Sequence, residues 1–165
     1  MSKVIIETTK GDFTIEMFPE KAPNTVKNFL RYVEDSFFDG LVFHRIIDGF
    51  MVQGGGFTPE GEHKDGRDSI KNEANNGLSN SVGTLAMART NDPHSASSQF
   101  FINIADNTFL DYQNEGNWGY CVFGKVVEGM DVVNEIKSVK TGTNRTTHMP
   151  DWPKTNIIIK RAYLG

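Results

Sequence analysis

Cysteine is almost missing from this 165-residue chain, which has one, Cys121. A lone thiol closes no intramolecular disulfide. Inside the apolar run Tyr120-Cys121-Val122-Phe123 it is expected to be buried and inert rather than nucleophilic. Histidine is sparse too: His44, His63, His94 and His148 have no spacing that puts two on one face of a helix or strand. That argues against a transition-metal site. No Gly-x-Ser-x-Gly elbow accompanies the serines around Ser95-Ala96-Ser97-Ser98, and Gly54-Gly55-Gly56 lacks the Gly-Lys-Ser/Thr of a phosphate loop. A tight turn or bulge is the better reading of those glycines. Nowhere do 18 apolar residues run together, so no membrane span is expected. The N-terminus Met1-Ser2-Lys3-Val4-Ile5-Ile6-Glu7 has a charge inside the would-be hydrophobic region and therefore does not read as a signal peptide. The sequon Asn144-Arg145-Thr146 matters only in a secretory pathway, and the expected compartment is the cytoplasm. Positive charge is also short. With 17 basic and 21 acidic residues the net charge is -4, which disfavours nucleic acid as a partner, although a local basic patch stays open.

What the chain has in excess is phenylalanine, 12 against 4 tyrosines and 2 tryptophans. Phenylalanine has no polar handle, so this aromatic surface serves apolar burial or apolar recognition. The length suits one domain, 1–165, with a core of its own. Residues 3–9 and 12–18 alternate apolar and polar around Lys10-Gly11-Asp12, a β-hairpin pattern. From Pro23 the period changes: Val26, Phe29, Leu30 and Val33 mark one face of a helix that ends near 35–39. A second helix is expected over 130–139, with Val132, Val133 and Ile136 inward. Further strands are expected at 41–47, 51–54, 83–88, 99–104, 120–127 and 155–163, making eight with the hairpin. This order has no βαβ alternation, and mainly antiparallel strands favour closure into a barrel. Residues 58–80 and 141–154 are long loops, a length that often accompanies function.

In an extended 41–47 segment Phe43, Arg45 and Ile47 share one side, and His44 and Ile46 the other. An arginine among apolar residues is either exposed at an edge or held at a site that uses a fixed cation, and spacing leaves both open. Phe50, Met51 and Gln53 follow at once. The segments 83–90 and 98–103 repeat the theme of one polar group beside large apolar ones.

Together these stretches resemble the cyclophilin family of peptidyl-prolyl cis/trans isomerases, especially its short bacterial cytoplasmic members. The resemblance is carried by Phe43-His44-Arg45-Ile46-Ile47, Gly49-Phe50-Met51-Val52-Gln53-Gly54-Gly55, Asn72-Glu73-Ala74-Asn75-Asn76-Gly77, Gly83-Thr84-Leu85-Ala86-Met87-Ala88, Ser98-Gln99-Phe100-Phe101-Ile102 and Val122-Phe123-Gly124-Lys125-Val126. It implies a mainly β fold, a closed eight-stranded antiparallel β-barrel capped by two α-helices. It also implies isomerisation of X–Pro bonds in proline-containing polypeptides, assisting protein folding, with no cofactor. By the same resemblance Arg45 stands at the catalytic arginine, and Gln53 at the glutamine that holds the substrate backbone. Phe50, Met51, Phe101 and Leu110 stand around a proline pocket. Ala88, Arg89, Thr90 and Gln99 line the groove for residues preceding proline; the preference there is not readable, and the charge of Arg89 hints only that acidic peptides are tolerated.

Phe109 stands where many eukaryotic members carry tryptophan, and Tyr120 where they carry histidine; both belong to the expected site. The loop 91–97 is one residue longer, and Arg89 replaces a common asparagine. The missing indole N–H implies weak binding of cyclosporin-type inhibitors. A module that only holds proline-containing partners is the other reading of the same groove, and a monomer is the default state.

Overall fold

The N-terminal alternation folds as a hairpin. In the computed structural model, which describes residues 2–165, β1 (Lys3–Thr8) pairs antiparallel with β2 (Gly11–Met17). Val4, Ile6, Phe13, Ile15 and Met17 are buried, the period-two pattern of a sheet with one core face. Thr8 pairs with Gly11, so the turn is Thr9-Lys10, one residue earlier than expected. The cause is local. Gly11 adopts φ +126°, while the Thr8 hydroxyl donates to the Gly11 carbonyl at 2.7 Å and accepts the Lys10 N–H at 3.0 Å.

Helix α1 (Pro23–Glu34) begins with proline, whose fixed φ suits a first turn and whose missing N–H is not needed there. It buries Val26, Phe29 and Val33, with Leu30 half-buried. No local side chain caps it. Glu73 does so from a distant segment, accepting the Thr25 N–H at 2.8 Å and the Thr25 hydroxyl at 2.7 Å. That carboxylate satisfies an orphan donor at the positive end of the helix dipole. Helix α2 (Met130–Lys137) buries Val133 and Ile136.

The other strands are β3 (Arg45–Ile47), β4 (Met51–Gly54), β5 (Thr84–Met87), β6 (Phe100–Asn103), β7 (Val122–Glu128), the short pair β8 (Thr141–Gly142) and β9 (Trp152–Pro153), and β10 (Ile159–Leu164). Eight of them form one antiparallel sheet in the order β10-β1-β2-β7-β5-β6-β4-β3. The expected barrel is therefore a half-barrel, because β3 and β10 do not pair as a ladder. Only the last three residues of the expected 41–47 strand are regular. Before them, one bridge between Val42 and Ile158 and the Phe43 N–H to Ile157 carbonyl bond at 3.1 Å span the gap. Side-chain parity explains the break. Phe43 and Ile46 both enter the main core, whereas three steps along one strand would face them oppositely. His44 is buried as well, with its ring 4.6 Å from Phe57 and 5.8 Å from Trp152.

Phenylalanine fills the core. Phe29 lies 5.2 Å from Phe38, 5.4 Å from Phe100 and 5.1 Å from Phe123 between ring centroids. Such tilted and edge-on contacts add to the large area each ring buries. The sheet also carries apolar residues on its other face. Val52, Leu85 and Ile102 point into the main core, while Met51, Ala86, Phe101 and Val122 form a second, outer cluster.

Candidate active site

Strand register assembles the outer face. Arg45 on β3 lies opposite Gln53 on β4, Gln53 opposite Phe101 on β6, and Phe101 opposite Ala86 on β5. Directly paired residues share a face of a sheet. A cation, an amide, an aromatic ring and a methyl therefore stand in a row across four strands. Two pairs along, on the same face, Met51 lies opposite Ile47 and Asn103.

A cavity of about 120 Å³ opens over this row, lined by Arg45, Phe50, Met51, Gln53, Ala88, Arg89, Phe101, Leu110 and Tyr120. A second cavity, of about 250 Å³, shares Gln53, Ala88 and Arg89 with the first and adds Thr90 and Gln99. The residues expected from the sequence thus converge on two abutting cavities, with one exception. Phe109 is 65% exposed and lines neither; it stacks on Phe50 with centroids 5.9 Å apart and planes 22° from parallel. His63, Ser95 and Ser97 also line the second cavity, and sequence reading missed them. They come from loops whose pairing no periodicity marks.

The polar groups are held in different ways. Gln53 Nε2 donates to Gln99 Oε1 at 3.0 Å, leaving its second N–H and its carbonyl oxygen for a ligand. Arg89 lies with its guanidinium carbon 4.5 Å from the Tyr120 ring centroid, and donates to the carbonyls of Gly119 at 3.1 Å and Thr90 at 2.8 Å. Tyr120 meets Phe101 edge-on at 5.7 Å. Arg45 is exposed. The ion pairs among the described residues are His63–Asp65, Arg67–Asp35 and Arg161–Glu7, so neither Arg45 nor Arg89 has a carboxylate partner there.

Behind the apolar slot runs a buried chain of amides. Asn107 Nδ2 donates to the Phe50 carbonyl at 2.8 Å and to Asn103 Oδ1 at 2.9 Å. Asn103 Nδ2 donates to Asn80 Oδ1 and to Thr84 Oγ1, both at 3.0 Å. Asn80 Nδ2 donates to Asp111 Oδ1 at 3.0 Å and to the Tyr120 carbonyl at 3.2 Å. The Tyr120 N–H in turn donates to the Leu110 carbonyl at 2.8 Å. Three walls of the cavity, Phe50, Leu110 and Tyr120, are fixed through this network. Its only mark in the sequence is a pair of asparagines four apart at the end of an apolar strand.

No serine, cysteine, histidine or carboxylate lines the first cavity. Cys121 is 3% exposed, and burial raises its thiol to about 11, as an inert cysteine requires. Burial lowers His44 to about 4, with smaller contributions from the like charges of Arg45 and His63, so the ring is neutral in the fold. Among the described residues no group of three His, Cys, Asp or Glu side chains could hold a metal ion, and no helix is long and apolar enough to cross a membrane.

An apolar slot, a cation without a carboxylate partner among the described residues and an amide with an N–H to spare stand together on the outer face of the half-barrel. Comparison with known proteins identifies the family. The family described as cyclophilin type peptidyl-prolyl cis-trans isomerase matches residues 3–164. The chain is 55% identical to peptidyl-prolyl cis-trans isomerase B of Escherichia coli, over 95% of this chain and 96% of that one. It is 51% identical to a peptidyl-prolyl cis-trans isomerase of Streptomyces antibioticus, over 98% of each. A crystal structure of a Cryptosporidium parvum cyclophilin type peptidyl-prolyl cis-trans isomerase superposes with a TM-score of 0.84 at 29% identity, covering 99% of this chain and 97% of that one. The same parasite protein was solved in the presence of the dipeptide Ala-Pro, with a TM-score of 0.83 at 29% identity and coverage of 99% and 98%. The chain belongs to the cyclophilin-type peptidyl-prolyl cis-trans isomerase family.

Proposed function

We infer that residues 1–165 act as one isomerase domain that catalyses rotation about X–Pro bonds in polypeptides and so assists their folding. The observation that carries this is Arg45, a cation without a carboxylate partner at the rim of an apolar cavity, directly across the strand pair from Gln53. The barrier to be lowered is about 18–20 kcal/mol, set by the partial double bond of the amide. Uncatalysed exchange takes about tens to hundreds of seconds. Reaching roughly 10³ per second requires about 7 kcal/mol of preferential transition-state binding.

The chemistry breaks no bond. As the amide twists, its nitrogen regains a lone pair and becomes a hydrogen-bond acceptor, which the planar amide nitrogen is not. A guanidinium aimed at that atom binds the twisted state better than either planar one. Arginine suits the task because its charge is permanent and its donors form a rigid fork. Met51, Phe101, Phe50 and Leu110 hold the pyrrolidine ring by apolar contact. The free Gln53 N–H donates to a substrate carbonyl, so one side of the bond stays put while the other turns. Ala88, Arg89, Thr90 and Gln99 receive the residues before proline, and Tyr120 closes the slot beside Phe101. The dipeptide Ala-Pro that accompanies the Cryptosporidium relative supports proline-containing chains as substrates.

We assign the activity to a cytoplasmic monomer, a reading supported by the lone buried thiol and by how few large apolar residues are exposed among the described ones, Val82, Phe109, Val127 and Leu164. Exchange in a proline peptide, followed by nuclear magnetic resonance with binding measured in parallel, tests the mechanism. Arg45→Ala should lose at least about tenfold in turnover while the fold persists, since Arg45 is exposed. Arg45→Lys should recover little, because a point charge lacks the fork. Unchanged turnover in Arg45→Ala would overturn the mechanism, and binding without turnover in the parent protein would favour the binding-module reading.

A further inference from the structure

Arg89 lies where the two cavities meet and lines both. Its position is fixed. Stacking over Tyr120 and hydrogen bonds to the Gly119 and Thr90 carbonyls use two of the five N–H groups a guanidinium carries, and the others remain for a ligand. The second cavity is rich in groups that can donate. Besides Arg89 it presents Thr90, Ser95, Ser97, the side-chain amides of Gln53 and Gln99, and His63. Among the described residues no aspartate or glutamate lines either cavity. Asp65 is engaged by His63 Nδ1 at 2.9 Å, and it is His63, not Asp65, that faces the cavity. The loop carrying Thr90 is itself braced: the Ser95 hydroxyl accepts the Thr90 N–H at 2.9 Å and donates to the Asp92 carbonyl at 2.7 Å.

A chain with net charge -4 thus keeps two arginines and no carboxylate around its groove. A groove meant for any peptide has no use for a second cation held in place without a carboxylate partner and with donors to spare. We propose that Arg89 is a specificity-determining residue, making the second cavity a seat for an anionic side chain, a carboxylate or a phosphate ester, on a residue shortly before the substrate proline. The proposal rests on the isomerase reading for the placement of the proline in the first cavity. The cation also disfavours lysine or arginine at the same place, so discrimination comes from repulsion as well as attraction. Arg89 acts on charge and Arg45 on the twisting amide, so the two arginines divide recognition from rotation.

The test uses the full chain and three sets of short proline peptides carrying glutamate, glutamine or lysine at each of the three positions before proline, with phosphoserine as a fourth arm. At low ionic strength kcat/KM for one glutamate position should exceed that of its glutamine twin by about threefold to tenfold, the range of a partly exposed, charge-assisted pair. The lysine twin should fall below both. The advantage should shrink as salt is raised to about 1 M, where the screening length is about 3 Å. Arg89→Gln should bring the glutamate-to-glutamine ratio within about twofold, and Arg89→Glu should reverse it in favour of lysine. A ratio is read, so a general loss of turnover in these variants does not disturb the outcome. Equal treatment of glutamate and glutamine at every position, or a preference that survives Arg89→Gln, overturns the proposal. Failure of the isomerase reading looks different: no peptide is accelerated at all, and the same ratios are then read from dissociation constants.

Discussion

Asn103→Leu examines the buried amide chain at its centre. Asn103 is fully buried, and its side chain makes three hydrogen bonds, to Asn80, Thr84 and Asn107. Leucine is of similar size, so the change removes polar contacts without opening a large cavity. Each lost bond contributes about 1 kcal/mol net, and a stranded buried partner adds about 1–3 kcal/mol. Thr84 keeps its bond to the Ser81 carbonyl, and Asn107 keeps its bond to the Phe50 carbonyl. Two groups are therefore left without partners: Asn80 Oδ1 and one N–H of Asn107. The expected loss is about 5–9 kcal/mol, most of a typical domain stability of about 5–15 kcal/mol. Urea unfolding at neutral pH measures it, with Asn134→Leu on the exposed face of α2 as a control expected to stay within about 0.5 kcal/mol. Function should change in a particular way. Asn107 and Asn80, no longer anchored to the sheet, hold the Phe50 and Tyr120 carbonyls less firmly, so KM should rise several-fold, by roughly the loss of one or two fixed contacts. The turnover number should move less, because Arg45 and Gln53 hang from the β3–β4 ladder and not from the amides. A stability change below about 1 kcal/mol would refute the reckoning of buried polar groups. A large stability loss with an unaltered KM would show that the network serves the fold and not the slot.

Other outcomes follow from single contacts. Glu73→Ala should destabilise the protein by about 1–2 kcal/mol in urea unfolding, because two α1 donors lose their acceptor; an unchanged midpoint would show that water replaces it without loss. Phe109→Trp should leave stability unaltered and tighten a cyclosporin-type inhibitor several-fold in a competition assay, by one new donor of about 1 kcal/mol; no gain would mean that this exposed position does not reach the ligand. His44 is neutral in the fold at about 4 but ordinary at 6.5 when unfolded, so the unfolded chain takes up the extra proton as pH falls. The stability it supports is therefore complete above about pH 6.5, declines as pH falls toward about 4, and is down by about 2 kcal/mol at pH 5. His44→Leu should flatten that part of the profile, and matching profiles for the two proteins would contradict it.

The strands of the eight-stranded sheet were readable because each has one face in the main core, whereas the short pair β8 and β9 lies in a segment expected as loop. The bounds of β4 are those expected, and both helices begin where expected, at Pro23 and Met130. Closure was not readable. It depended on residues 41–44, where Phe43 and His44 are both buried, and alternation says nothing about a segment that turns between neighbours. Trp152 shows the same limit. Between Asp151 and Pro153 it has no periodic partner, yet it is 3% exposed against His44 and Phe57, which lie about a hundred residues away in sequence. The residues that line the two cavities were legible through family likeness, whereas the row of Arg45, Gln53 and Phe101 follows from cross-strand register, which alternation alone does not give. The asparagines behind them were not, because a buried amide is recognisable only when its partners are known.

The two faces of one sheet explain how so small a protein carries an apolar site without losing its core. Strands β4, β5 and β6 are buried on both sides, and the outer side is covered by short segments, among them those bearing Phe50, Leu78, Leu110 and Tyr120. Such a cover leaves a slot where a helix would have filled it. Loops alone are poor walls, since each ordered residue loses conformational entropy with little burial to offset it. The buried amides supply what packing does not, tying three loop backbones to the sheet from behind. The slot is therefore braced on three sides, with Arg45 at the exposed end of the row across the sheet.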